Sequence, residues 1–289
     1  MIHRFCISHK TPLLPASWYD DCIPVGDFQP DSVFHVSQFD RFWHEARPFA
    51  YSSAGAYVLP IALERFARDA TLIEISTCRK RILPSPEGIE SEFPPLRELS
   101  LENFEKEAEL SVFMPRPDLE FLVAPPVYIE NSVIGNYVED NRRRDILDYT
   151  SLAVEVGVLD SYSASEFLAA KHLNHGGLEL GIYPKPWLID ALSRIELVGR
   201  QFLYRYGSRL EKYDNYRIRT LQFLSERLGC FLLIRHLMEK YSNNIPADIF
   251  GHTIVIVEGD SKYSVGLGDR PGNRWRWWHP KILSGYNRA

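Results

Sequence analysis

Two short runs in this 289-residue chain place hydroxyl, imidazole and cationic side chains directly after an apolar, strand-like segment. The first is Ser8-His9-Lys10-Thr11, following Ile2 to Ile7. The second is Ser76-Thr77-Cys78-Arg79-Lys80-Arg81, following Thr71 to Ile75. Loops at the carboxyl ends of strands are where open α/β sheets bind ligands. Arg suits phosphate there, because its planar fork makes paired hydrogen bonds to phosphate oxygens. Arg79 and Arg81 are therefore read as ligands to a diphosphate, with Lys80 facing solvent. The competing reading of the same three residues is a solvated basic turn.

The other chemistry-bearing residues are less ordered in sequence. Asp20-Asp21, Glu139-Asp140 and Asp145 with Asp148 are paired carboxylates, but none follows a clear strand with Asp-x-Asp spacing. His172 and His175 are three apart with glycines directly after, which does not read as a metal pair, and no metal site is assigned. Mn²⁺ or Mg²⁺ is left open as an accessory. Gly266-Leu267-Gly268 is too short and too late for a dinucleotide turn, and P-loop and G-x-S-x-G patterns are absent. Trp275-Arg276-Trp277-Trp278 could stack a sugar or a base, meet a membrane surface, or dock the C-terminal tail onto the domain.

The elements that must position these residues follow from periodicity. Ile2–Ser8 reads as a strand. Tyr51–Arg68 has helical spacing, with Pro60 predicting a helix that is short or begins near that proline. Thr71–Ser76 is a second strand, so the first 80 residues carry the βαβ pattern of a parallel sheet. A Pro- and Glu-rich insertion spans Leu83–Asp118, with a short helix around Leu101–Leu110. Phe121–Ala124 is a buried strand. Arg142–Glu155 and Ser163–His172 are helices, the latter with Ser163 as N-cap and Glu166 three residues on. A glycine-rich turn from His175 enters a strand ending at Tyr183, and helices follow over Pro186–Tyr206 and Tyr216–Tyr241. Thr253–Val257 is a late strand.

Composition bounds the class. A charge of −5 argues against general nucleic-acid affinity, which needs a basic face. No stretch of about 18 apolar residues predicts a membrane span, and the first residues lack a secretory pattern. Four dispersed cysteines, Cys6, Cys22, Cys78 and Cys230, suit buried free thiols in a reducing compartment. The expected location is cytoplasmic, with peripheral association at the inner face of the membrane.

The segment Tyr216 to Leu228 carries Phe223-Leu224-Ser225-Glu226-Arg227-Leu228. It resembles the Phe-Leu-Ser-Glu-Arg-Leu signature of a bacterial capsule and O-antigen family, formerly a domain of unknown function, that includes galactofuranosyltransferases. Other landmarks are similar in order. Ile7-Ser8-His9-Lys10 matches a strand ending in Thr-His-Lys, Asp21 to Gly26 matches a Tyr-Ile-Pro-Ile-x-Val-Gly stretch, and Ile73 to Arg81 matches a strand leading to His-Tyr-Arg-Arg. The resemblance spans Ile2 to Val257, with its specificity in the Ser-Glu-Arg-Leu helix.

It implies an α/β, GT-A-like nucleotide-binding fold with a central, mostly parallel sheet flanked by helices. A single domain over 1–260 and a Trp/Arg-rich tail over 261–289 are expected. The implied activity is glycosyl transfer from a nucleotide-sugar, a UDP donor first, to an oligosaccharide or lipid-linked glycan acceptor. His9, Lys10 and Thr11 would line the nucleotide pocket, and Arg79 and Arg81 would stabilise the departing diphosphate. Glu226 or Asp148 would be the base, although Glu226 could instead pair with Arg217 or Arg219 to anchor its helix. Asn174-His175-Gly176-Gly177 resembles the Asn-x-Gly turn that approaches the sugar in several GT-A families, or is an ordinary loop; Arg219 is placed with it at sugar or acceptor. The family's His-Tyr is Thr77-Cys78 here, and its Tyr-x-Glu-rich helix is replaced by Tyr51-Ser52-Ser53-Ala54-Gly55. Those departures open two readings: another sugar, or a non-catalytic binding or scaffold subunit of a polysaccharide assembly complex. A metal-dependent phosphate-ester or nucleotide hydrolase is a further alternative, and it would need a carboxylate cluster not found in the sequence.

Overall fold

A computed structural model describes residues 1–100 and 113–258. The helix expected around Leu101–Leu110 and the Trp/Arg-rich tail lie outside the described residues.

Strand β1 (Ile2–Ser8) lies one strand in from the edge of the sheet that builds the site. Side chains alternate across a strand, so Phe5 and Ile7 enter the main core while Cys6 joins a second cluster with Leu14, Trp18 and Leu83. β2 (Asp21–Pro24) pairs parallel with one edge of β1, and Cys6 lies opposite Cys22. The chain then passes through helices α1 (Arg41–Glu45), α2 (Arg47–Ala50) and α3 (Ser53–Phe66). It returns as β3 (Leu72–Thr77), parallel to the other edge of β1, with Ile7 opposite Thr77.

A tight hairpin turns β3 into β4 (Lys80–Leu83). After it come β5 (Ile89–Glu90), β6 (Arg97–Ser100) and β7 (Pro126–Tyr128). Helices α4 (Val133–Asp140), α5 (Arg143–Glu155) and α6 (Ser161–Ala169) lead to β8 (His172–Asn174) and β9 (Gly181–Pro184). Two long helices, α7 (Lys185–Leu210) and α8 (Thr220–Lys240), precede β10 (His252–Val257).

The main sheet runs β2-β1-β3-β4-β10-β6-β5, with β9 also on β3. The longest ladder, β1 on β3, is parallel, as are β1 on β2 and β10 on β6. The pairs made by β4, β5 and β9 are antiparallel. The molecule is thus mixed α/β, its central sheet flanked by helices, as expected.

Three local expectations are corrected. α3 runs from Ser53 to Phe66 through Pro60 instead of being short or beginning near it. The missing N–H and the ring clash disfavour this, but the helix buries Ala54, Val58, Leu59, Ala62 and Leu63, at roughly 1.5–3 kcal/mol for each large side chain. The N-cap of α6 is Asp160, whose carboxylate accepts from Ser163 N at 2.7 Å, so the helix begins two residues before Ser163. Leu122 and Val123 make isolated bridges to Ile182 and Phe250 instead of forming a strand. The free thiols Cys6, Cys78 and Cys230 are buried and Cys22 is partly so. No helix among the described residues is long and apolar enough to cross a membrane.

α3 approaches β1 through Gly55, where an added Cβ would stand 2.5 Å from Ile7 Cγ2 and 3.2 Å from a Val25 methyl. Gly55→Ala is expected to destabilise the domain by about 1–3 kcal/mol through overpacking. Urea unfolding would read this as a lower midpoint at unchanged slope; an unshifted midpoint would mean that the helix slides away freely.

Candidate functional site

The chain leaves β1 toward β2 on one side and returns to β3 on the other, so the sheet has a switch point between Ile7 and Thr77. Ligands of open α/β sheets bind at such points because the loops diverge there and leave a crevice. A cleft of about 220 Å³ lies at this place. Ile7, Val25 and Thr77 at the strand ends form its back wall.

Part of the lining is cationic. His9 from the β1 loop, Arg47 from α2 and Arg79 from the β3–β4 turn line it. The His9 imidazole is held below its ordinary pKa, chiefly by burial and then by the charges of Arg47, Lys10 and Arg79. It is therefore neutral near pH 7, and three cations converge around it. The Arg47 Nε is buried without a hydrogen-bond partner. Its guanidinium lies 4.8 Å from the centre of the Tyr51 ring, whose surroundings also hold Arg219 at 4.9 Å. Tyr51 itself lines the cleft with φ 52° and ψ −123°. A non-glycine residue there stores about 1–3 kcal/mol of strain, which the flanking guanidinium groups help to hold.

The lining also carries carboxylates. Glu226 on α8 and Glu179 on the loop before β9 both line the cleft. Glu226 Oε1 accepts the Gly176 N–H at 3.0 Å. Gly177 adopts φ +56°, and a Cβ there would lie 3.1 Å from the Cα and carbonyl oxygen of Glu226. The glycines thus let this turn close onto the α8 backbone. Glu179 takes a hydrogen bond from Ser53 Oγ at the start of α3. Its carboxyl is pushed up to about 7, first by burial, with the Glu226 charge adding and Ser52, Ser53 and Lys80 opposing. Lys80 Nζ donates to His175 Nε2 at 3.0 Å. Burial, then the Lys80 charge, drives His175 down to about 3, so it stays neutral and accepts at Nε2.

Of the residues singled out in the sequence, His9, Arg79, His175, Gly176 and Glu226 meet in the cleft. Lys10 and Thr11 are exposed beyond it, Lys10 near enough for its charge to reach His9. Gly177 is buried behind the turn, and Arg219 stands behind Tyr51, also over Tyr216 and Phe223. Asn174 is buried away from the cleft, its Nδ2 donating to the Ala124 carbonyl and its backbone N to Cys230 Sγ.

Two assignments are corrected outright. Arg81 lies on the opposite face of the sheet, paired through two nitrogens with Glu74 and stacked on Trp18 at 4.5 Å. The two-residue alternation of β4 sends Lys80 to the cleft and Arg81 away, the reverse of the sequence expectation. Asp148 on α5 is held by Arg209 at 2.6 Å and Arg144 at 3.4 Å, outside the cleft. Arg217, proposed as a partner of Glu226, instead donates to Asp214 and the Asp140 carbonyl.

The sequence reading missed Arg47, Tyr51, Gln222 and Glu179. Three of these had a signal: Gln222 shares a helix face with Glu226 at i, i+4, and Arg47 and Tyr51 are spaced four apart at the end of α2. Among the described residues no group of three or more His, Cys, Asp or Glu side chains is arranged to hold a metal ion.

No protein-family model matches the chain, and no curated protein matches it. Among solved structures, the apo form of WbbM, a bifunctional glycosyltransferase, is similar with a TM-score of 0.57 at 12% identity. The match covers 88% of this chain and 45% of that one, so the present chain spans under half of its length. At that identity the likeness is one of fold.

Proposed function

We propose that this chain moves a sugar from a nucleotide-diphosphate donor, UDP being the first choice, to a glycan acceptor of a surface polysaccharide. The observation that carries this is the cleft at the switch point, whose lining brings Arg47, Arg79 and His9 together with two carboxylates. A diphosphate leaving group needs its developing charge neutralised where it departs, and preorganised cations do this at little reorganisation cost. An acceptor hydroxyl needs a nearby base. The fold shared with a glycosyltransferase structure supports the reading, as does the sequence resemblance around Glu226. That resemblance makes galactofuranose the first sugar to test, with an oligosaccharide or lipid-linked acceptor.

Thermal titration with UDP, UDP-galactose and UDP-galactofuranose, each with and without Mn²⁺, tests the donor. A ligand at one hundred times its Kd stabilises the fold by about 2.7 kcal/mol. Metal-independent stabilisation by UDP is expected. Arg79→Ala should weaken it by about 10- to 100-fold, the loss of a charged hydrogen bond worth roughly 1.5–3 kcal/mol. No response to any uridine nucleotide would reject the reading.

A further inference from the structure

The two carboxylates of the cleft are held by different kinds of partner. Glu226 accepts a backbone N–H, from Gly176. That group can only donate, and it ties the carboxylate to the turn. Glu179 is held by hydroxyls, those of Ser52 and Ser53. A hydroxyl rotates and either donates to a carboxylate or accepts from a carboxylic acid. Glu179 can therefore gain and lose a proton without stranding a buried partner.

The surroundings point the same way. Glu179 is faced by Lys80 from β4, Glu226 from α8, the two serines from the start of α3, and the buried phenols of Tyr57 and Tyr183. Both phenols are held well above their ordinary values by burial, so they stay neutral. The charges that tune Glu179 are thus one anion and one cation. The balance with burial leaves its proton labile near neutral pH, where a general base works best.

Resting on the transferase reading, we infer that Glu179 takes the proton from the acceptor hydroxyl, and that Glu226 is a positioning residue for the Gly176-Gly177 turn. In this step the acceptor oxygen bonds to the sugar's anomeric carbon. The bond from that carbon to the diphosphate oxygen breaks, its electron pair leaving on the nucleotide. The hydroxyl proton passes to the Glu179 carboxylate.

The test follows UDP release from UDP-galactose across pH 5 to 9, about two pH units either side of the Glu179 value, with water as acceptor. Glu179→Gln should lower kcat by about 10²- to 10⁴-fold and abolish the rising limb near neutrality, while the variant stays folded and UDP affinity stays close to wild type. Glu179→Asp should recover part of the rate. Glu226→Gln should keep the rising limb, shifted to lower pH by loss of the neighbouring charge. Wild-type kcat and limb in Glu179→Gln, or loss of the limb in Glu226→Gln, would overturn the assignment and leave the transferase reading standing. No UDP release by the wild type from any UDP-hexose would instead remove the transferase reading, and this inference with it.

Discussion

Arg81→Ala should cost the domain about 3–5 kcal/mol, the price of stranding a buried charge. Arg81 is 5% exposed and Glu74 2% exposed. They meet through two nitrogens, one at 3.0 Å, under the Trp18 ring. Removing the guanidinium leaves the Glu74 carboxylate buried, with Arg4 Nε at 3.8 Å as a distant cation. A typical domain has about 5–15 kcal/mol in total, so the loss is a large share. Replacing both partners by apolar groups, Glu74→Leu with Arg81→Met, should cost far less than either single change, because no charge then remains to be solvated. Urea denaturation of the three variants measures this. The folded fraction of Arg81→Ala should still respond to UDP, whereas Arg79→Ala should melt like wild type and respond weakly. A stable Arg81→Ala without UDP binding would return Arg81 to the donor site.

The second large effect is a pH dependence of stability assigned to Glu179. Unfolded, its carboxyl titrates at an ordinary 4.5; folded, it holds its proton up to about 7. Between those values the native state binds more protons than the unfolded state, so this group's contribution to stability falls as pH rises. It is fully present below pH 4.5 and lost above about 7. At 1.36 kcal/mol per tenfold change in proton affinity, the total is about 3 kcal/mol. His175 works in the opposite sense. Its folded value near 3 makes the unfolded state the better proton binder up to 6.5, so its contribution rises with pH. The two overlap, and the wild-type profile alone would mix them. The difference between wild type and Glu179→Gln isolates the carboxyl, and that difference should slope between pH 4.5 and 7. A flat difference would mean that Glu179 titrates as an ordinary carboxylate and would weaken its assignment as base.

Several elements were legible because their signals are local. β1 and β3 show short, mostly apolar runs, broken by His3 and Arg4 in β1 and by Glu74 in β3, with cationic residues shortly after them. α5, α7 and α8 show helical spacing over many turns, and their observed bounds fall near the expected ones. The first turn of the last helix is an exception: Arg217–Arg219 is a 3₁₀ turn, and the α-helix begins at Thr220. The irregular stretch after Leu83 was legible as irregular but not as sheet. β5 and β6 are short, and β6 finds its parallel partner in β10, more than 150 residues later. Pairing at that separation leaves no mark in a local window.

The sequence by itself determined the strand-helix-strand order of the first 80 residues, the parallel pairing of β1 with β3, and the convergence of His9 and Arg79 near one strand edge. Periods of two and 3.6, with loops after strands, are properties of the backbone and act over a few residues. Tertiary structure alone decided which of those residues share a space. The offset of the β3–β4 turn set the face to which Lys80 and Arg81 point, and a shift of one residue exchanges every face. Glu179 and Glu226 come from separate elements, joined by a glycine turn that closes onto α8. Their juxtaposition, and with it the proton affinity of Glu179, depends on burial and on neighbours distant in sequence.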